Sequence, residues 1–217
     1  MSDAGAIVDG LALALLGVAL FSVAIRGLVA GVWMLVVQSG LLALVAATIA
    51  FSSGAEHMWA AALLTLAVRA GAVPAVLFRV LGAVALRRET RPLLSTRNAL
   101  ILAVLLVLVA FFAAGRLDLS DAFPAHEALP VSLALTFIGL LLMATRRKAV
   151  SQLIGLITIE NGIFLAGLIA TLGMPLFVEI GVFFDLLVAV GVTAVLTLRI
   201  NEHFDTVNTD ELRRLRG

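Results

Sequence analysis

Among the ionisable side chains inside long apolar stretches of this 217-residue chain, five are candidates for chemistry, namely Arg69, Arg79, Glu160, Glu179 and Asp185. A charged group at the centre of a bilayer costs at least about 2.5–3.5 kcal/mol on insertion scales, so it persists where it pairs, lines water or carries protons. A carboxylate can exchange protons at that depth, whereas arginine stays protonated and acts only as a fixed positive charge. These residue types therefore indicate proton or ion movement within a membrane.

Three of the five are expected near the middle of the membrane, each on a different helix. A helix rises about 1.5 Å per residue, which places Arg69, Glu160 and Asp185 roughly 15–18 Å from the nearest end of their apolar stretches. Arg79 is expected closer to the cytoplasmic side and Glu179 closer to the outside. The carboxylates are thus the candidate proton carriers, and the arginines are their candidate electrostatic partners.

Two interpretations of these charges remain open. In the first, Arg69 forms a buried ion pair with Glu160 or Asp185, and the pair fixes the register of two helices. In the second, the carboxylates exchange protons while the arginines adjust how readily they do so.

Three amide side chains are candidate polar supports for either arrangement. Asn161 follows Glu160 directly, Gln152 precedes it on the same stretch, and Gln38 lies in another stretch. An amide can hydrogen-bond a carboxylate or hold water, and it can equally form a plain contact between helices.

Composition predicts an all-α, polytopic membrane protein with one integral membrane domain over residues 1–217. The chain is 62% hydrophobic and only 13% charged, whereas soluble domains are about 45–50% apolar and about 25% charged, so a soluble or disordered class is excluded. A transmembrane helix needs about 20 mostly apolar residues. Seven stretches meet this requirement and are numbered as spans one to seven: Ala4–Ile25, Leu28–Phe51, Trp59–Leu86, Ala99–Gly115, Leu129–Thr145, Ala149–Leu172 and Pro175–Ile200.

The distribution of charge predicts the orientation of these spans. If they alternate, the basic residues that follow spans one, three, five and seven all fall on one side, and this side is the cytoplasm by the positive-inside rule. The opposite side is mostly acidic, with Arg116 as its only basic residue. The N-terminus is therefore expected outside and the C-terminus in the cytoplasm. Pro74 predicts a kinked or tilted third span, and Ser95 or Thr96 is the expected cap of the fourth helix.

Residues that the chain lacks exclude several kinds of chemistry. It has no cysteine, which excludes disulfides, iron–sulfur clusters and a catalytic thiol. Its three histidines fall in loops or the tail, so no pair clamps a haem, and its only lysine, Lys148, is too close to a helix end for a retinal Schiff base. We therefore expect no catalytic residue, no cofactor and no metal in this chain, and no nucleic acid among its partners.

Two segments resemble a known family. Span six reads Arg147-Lys-Ala-Val-Ser-Gln-Leu-Ile-Gly-Leu-Ile-Thr-Ile-Glu-Asn-Gly-Ile-Phe-Leu165, which resembles the signature helix of hydrogenase-4 component E. Span three, Ala62-Leu-Leu-Thr-Leu-Ala-Val-Arg-Ala-Gly-Ala-Val-Pro74, resembles the same family's third helix, which carries a basic residue shortly before a proline. The family is related to the K subunit of complex I and to the C subunit of multisubunit sodium/proton antiporters. In the K subunit a glutamate directly follows Ile-Gly-Leu, whereas here Ile157 stands there and Glu160 comes one turn later.

The resemblance implies a non-catalytic membrane subunit of a hydrogenase-4-like or complex I-like assembly in a bacterial or archaeal cell membrane. Its implied partners are antiporter-like and other membrane subunits, peripheral redox subunits on the cytoplasmic side, and the lipid bilayer. Its implied role is in a polar axis for proton translocation, with Glu160 and Asp185 as carriers and Glu179 as an outer relay. The alternatives are a purely architectural anchor of such a complex and, ranked last, a free-standing small-solute transporter.

Overall fold

The computed structural model describes residues 2–54, 56–83, 93–116, 127–171 and Gly191. Within this part of the chain every regular element is helical: α1 Ser2–Ala24, α2 Leu28–Ser53, α3 Glu56–Leu64, a π-helical segment Thr65–Ala72, α4 Val73–Ala83, α5 Thr96–Ala114, α6 Ala128–Thr145 and α7 Ala149–Thr171. The elements from α3 to α4 form one interrupted helix, which is span three.

Six of the predicted spans are confirmed as helices that are long and apolar enough to cross a membrane. Where a helix ends within the described residues, its end lies three residues or fewer from the predicted one, because an apolar helix of this length ends where polar or turn-forming residues begin. α2, for example, ends at Gly54, whose left-handed backbone (φ 66°) lets its N–H bind the carbonyl of Ala50. Ser95 is confirmed as the cap of α5, because its hydroxyl oxygen accepts a hydrogen bond from the Asn98 N–H. Span seven, Pro175–Ile200, lies outside the described residues.

Among the described helices, α6 and α7 pack most closely, because glycines lie at their contact. A Cβ atom on Gly139 would lie 2.6 Å from the backbone oxygen of Gly155, and one on Gly162 would lie 2.6 Å from the backbone oxygen of Ser132. Small residues let membrane helices approach until their backbones touch, and tight packing then replaces the hydrophobic effect, which is weak between helices in lipid. This contact fixes α7, the helix that carries Glu160.

α2 lies between the two parts of the helical bundle. It packs on α1 on one side and on α3, the π segment, α4 and α7 on the other. Leu42 and Val45 of α2 belong to the larger buried cluster, with α1, α3, α5, α6 and the second half of α7, whereas Leu28 and Leu35 belong to a smaller cluster with α4 and the first half of α7. Residues in the middle of α2 are therefore brought against both span three and span six.

Candidate functional site

The π segment positions Arg69 in the middle of span three. Pro74 has no N–H, and its ring clashes with the carbonyl four residues earlier, so an α-helical ladder cannot continue unchanged across it. The backbone instead widens before the proline, and the Val73 N–H bonds to the carbonyl of Val68, five residues back. π-helical turns of this kind occur frequently at functional sites. Pro74 was expected to kink the helix, but a π segment was not predicted.

Arg69 is held by three side chains of α7. Its Nη2 donates to Oε1 of Glu160 at 2.5 Å, and its Nη1 donates to Oδ1 of Asn161 at 3.0 Å. Its guanidinium carbon also lies 4.6 Å from the ring centre of Phe164, a distance at which the ring face attracts a cation. The Arg69 side chain is completely buried, whereas the Glu160 side chain is 16% exposed. Glu160 is thus the partly exposed member of this ion pair.

A second amide extends the network to α2. Nδ2 of Asn161 donates to Oε1 of Gln38 at 3.1 Å, and both residues are fully buried. We call Gln38, Arg69, Glu160 and Asn161 the polar quartet. Its members come from three spans that are far apart in sequence.

The polar quartet lies at the middle of all three helices. Gln38 is the eleventh of 26 residues in α2, and Glu160 is the twelfth of 23 in α7. Arg69 is the eleventh of 24 residues between Trp59 and Gly82. At about 1.5 Å per residue, each side chain is therefore roughly 15–17 Å from its helix end, in agreement with the depth expected from the sequence.

Among the described residues, two of the other predicted site residues, Arg79 and Gln152, are not part of this network. Arg79 is exposed on α4, near the end of span three. Gln152 is exposed too, and its Nε2 donates to the backbone carbonyl of Arg146 at 3.1 Å, so it supports the connection between α6 and α7. Glu179 and Asp185 lie outside the described residues.

Sequence reasoning missed two contributions. Phe164 looked like one more apolar residue of span six, although its position four residues after Glu160 places both on one face of the helix. Arg146 was counted among the basic loop residues, but it is only 9% exposed, and its Nη2 donates to the carbonyls of Val23 and Ile25 at 2.9 Å. It therefore caps the C-terminal end of α1, where carbonyl groups lack partners within the helix.

Only one member of the polar quartet can release and take up a proton near neutral pH. Arginine stays protonated in proteins, and the amides of Gln38 and Asn161 are not acids or bases in this range. Glu160 is therefore the member of the polar quartet that can bind and release a proton. Among the described residues, no group of histidine, aspartate and glutamate side chains could hold a metal ion.

Comparison with known proteins agrees with the resemblance seen in spans three and six. Residues 128–217 match the family described as NADH-ubiquinone/plastoquinone oxidoreductase chain 4L. The chain is 32% identical to hydrogenase-4 component E of Escherichia coli K12 over 117 residues, which cover 54% of each protein. It is also 38% identical to an uncharacterised protein of Mycobacterium tuberculosis over 152 residues, covering 70% of this chain and 69% of that protein.

These comparisons support a family like that of hydrogenase-4 component E and of chain 4L of the NADH-ubiquinone/plastoquinone oxidoreductases. The chain is a multi-pass membrane protein of a family of respiratory-complex subunits. The 4L match contains α6 and α7, and with them Glu160 and Asn161, whereas Gln38 and Arg69 precede it. The aligned part spans about half of hydrogenase-4 component E. No solved structure matches this chain.

Proposed function

We propose that this chain is a non-catalytic subunit whose Glu160, held by Arg69, forms part of a mid-membrane proton path in a hydrogenase-4-like or complex I-like assembly. One observation supports this most strongly: the only acid in the polar quartet lies at mid-span, bound on one side to a buried cation and partly exposed on the other. Such a group can meet a proton donor on its exposed side while Arg69 stabilises its charged form. Asp185 and Glu179 of the seventh predicted span are the proposed continuation of the path.

A specific observation also favours the architectural anchor. Arg69 contacts Glu160, Asn161 and Phe164 at once, and a buried arginine with this many partners is typical of a structural ion pair that fixes how helices meet. In that role the polar quartet would hold spans two, three and six together and would move no protons. The two functions differ in their response to removal of the charges.

The proposed partners are antiporter-like and other membrane subunits within the bilayer, and peripheral redox subunits on the cytoplasmic side of a bacterial or archaeal membrane. Purification of the tagged full-length chain in mild detergent tests this directly. We expect both groups of subunits to accompany the chain in fixed ratio. A tagged multi-pass protein from an unrelated family, purified from the same cells, is the control. A chain that purifies alone would contradict the proposal and favour a free-standing transporter.

The proposed orientation has the N-terminus outside, and it can be tested simply because the chain contains no cysteine. Ser53 at the end of α2 and Ser95 before α5 are both exposed, and the proposal places them on opposite sides of the membrane. A membrane-impermeant maleimide added to intact cells should label Ser53→Cys, whereas Ser95→Cys should react only after the cells are opened. The reverse pattern would show that the orientation is inverted.

A further inference from the structure

Three neutral side chains of α2 and the π segment each carry a buried polar atom that lacks a hydrogen-bond partner in the described part of the chain: Nε2 of Gln38, Oγ of Ser39 and Oγ1 of Thr65. All three residues are 0% exposed. Gln38 and Ser39 are neighbours in α2, and Thr65 begins the π segment that packs against α2. An unpaired polar group in a membrane interior costs several kcal/mol, so three in one region call for a physical explanation.

Other buried hydroxyls in the same helices show that this is not the general pattern. Ser22, Ser132, Thr145 and Thr158 each donate to a backbone carbonyl three or four residues earlier in their own helix, at 2.7–2.9 Å. This is the usual way in which a helical serine or threonine satisfies its hydroxyl in an apolar environment. Ser39 and Thr65 have the same option and do not use it. Their hydroxyls remain available to bind something else.

We infer that Gln38, Ser39 and Thr65 form a binding site for ordered water between α2 and the π segment. An amide Nε2 only donates, while a hydroxyl donates and accepts, so the group that satisfies all three must supply both an acceptor oxygen and donor hydrogens. Water does so and is uncharged, which suits a site built from neutral dipoles. A buried water characteristically makes two to four hydrogen bonds to polar groups that otherwise lack partners.

This site adjoins the polar quartet through Gln38, whose Oε1 already accepts a hydrogen bond from Asn161. Resting on the proposed function, we assign to this water a role in proton transfer beside span three. The amides of Gln38 and Asn161 cannot fill that role, because they are neither acids nor bases near neutral pH. The existence of the water site itself does not depend on that function, because it follows from burial and hydrogen bonding.

Thr65→Val tests the site because valine keeps the shape of threonine and removes only the hydroxyl. Its matched control is Thr158→Val, since Thr158 is equally buried but bonds its own helix. We expect Thr65→Val to lower the melting temperature of the full-length chain, purified with its accompanying subunits, by about 2–4 °C more than Thr158→Val does. Ser39→Ala should likewise be more harmful than Ser132→Ala. If nothing binds the Thr65 hydroxyl, its removal eliminates an unpaired buried polar group and costs no stability. A melting temperature of Thr65→Val equal to or above that of Thr158→Val would therefore overturn the inference.

A second measurement keeps the test independent of stability. In a structure at a resolution that shows ordered water, we expect density within hydrogen-bond distance of Thr65 Oγ1 and at least one of Gln38 Nε2 and Ser39 Oγ. A protein side chain in that position would overturn the inference. Failure of the proposed function would be seen in a different experiment, the proton-translocation assay of Glu160→Gln. Normal coupling in that variant would contradict the relay and would leave the water site unaffected.

Discussion

Glu160→Gln is expected to leave the complex assembled and to reduce its proton translocation per electron transferred at least about tenfold. Glutamine has the shape of glutamate and keeps an oxygen that can accept the hydrogen bond from Arg69 Nη2, so the contact between spans three and six survives. It cannot bind or release a proton near neutral pH, so a path through this position is broken. The measurement is acidification or alkalinisation of sealed vesicles that contain the purified complex, with electron transfer recorded in the same sample.

Glu127→Gln provides a matched control for this experiment. It is the same substitution at the membrane-edge end of α6, where the Glu127 side chain makes no capping hydrogen bond. Proton translocation should be unchanged in this variant. An assembled Glu160→Gln complex that couples as well as Glu127→Gln would contradict the relay and favour the architectural anchor.

Arg69→Met is expected to destabilise the protein by about 3–5 kcal/mol, because it leaves the Glu160 carboxylate largely buried without its cation. It also removes the donor to Asn161 Oδ1 and the cation over Phe164. The double variant Arg69→Met, Glu160→Met removes both charges and should recover to within about 1 kcal/mol of the parent, since apolar side chains of similar volume often replace a buried ion pair without loss. Thermal or denaturant unfolding of all four members of this mutant cycle gives the interaction energy directly.

Arg79→Met is the control for the single substitution. Arg79 lies in the same span but is exposed, so its replacement should change stability by no more than about 0.5 kcal/mol. If Arg69→Met were as harmless as Arg79→Met, the ion pair would contribute nothing to the fold. The double variant also separates the two proposed functions, because the anchor predicts intact proton coupling in a stable double variant and the relay predicts its loss.

The membrane spans could be predicted from the sequence because the bilayer imposes a length and a composition that can be counted. α2 starts at Leu28 and α6 ends at Thr145, as the apolar stretches predicted. The depth of Glu160 and Arg69 followed from the same count, since position along a membrane helix converts directly into distance from its end. The family resemblance was confirmed by comparison, and the matched residues 128–217 include span six with Glu160 and Asn161.

The partner of Arg69 could not be derived in this way. Depth alone left Glu160 and Asp185 as equal candidates, because both were placed near mid-membrane. Within the described residues Glu160 meets Arg69, because the glycines of α7 fix that helix against α6 and because α2 packs against both α7 and span three. The burial of Arg146 was missed for a similar reason, since its role depends on the carbonyls of α1, more than 100 residues earlier.

The sequence by itself determined that the chain spans a membrane, where its described helices lie and how far along their helices Arg69 and Glu160 stand. These are local properties, which depend on the number and type of residues along one helix. Only the tertiary structure decided that Gln38, Arg69, Glu160 and Asn161 meet and that Arg79 and Gln152 do not. The rotation of one helix against another depends on close packing between side chains of separate spans, and a π segment before a proline changes that rotation within span three.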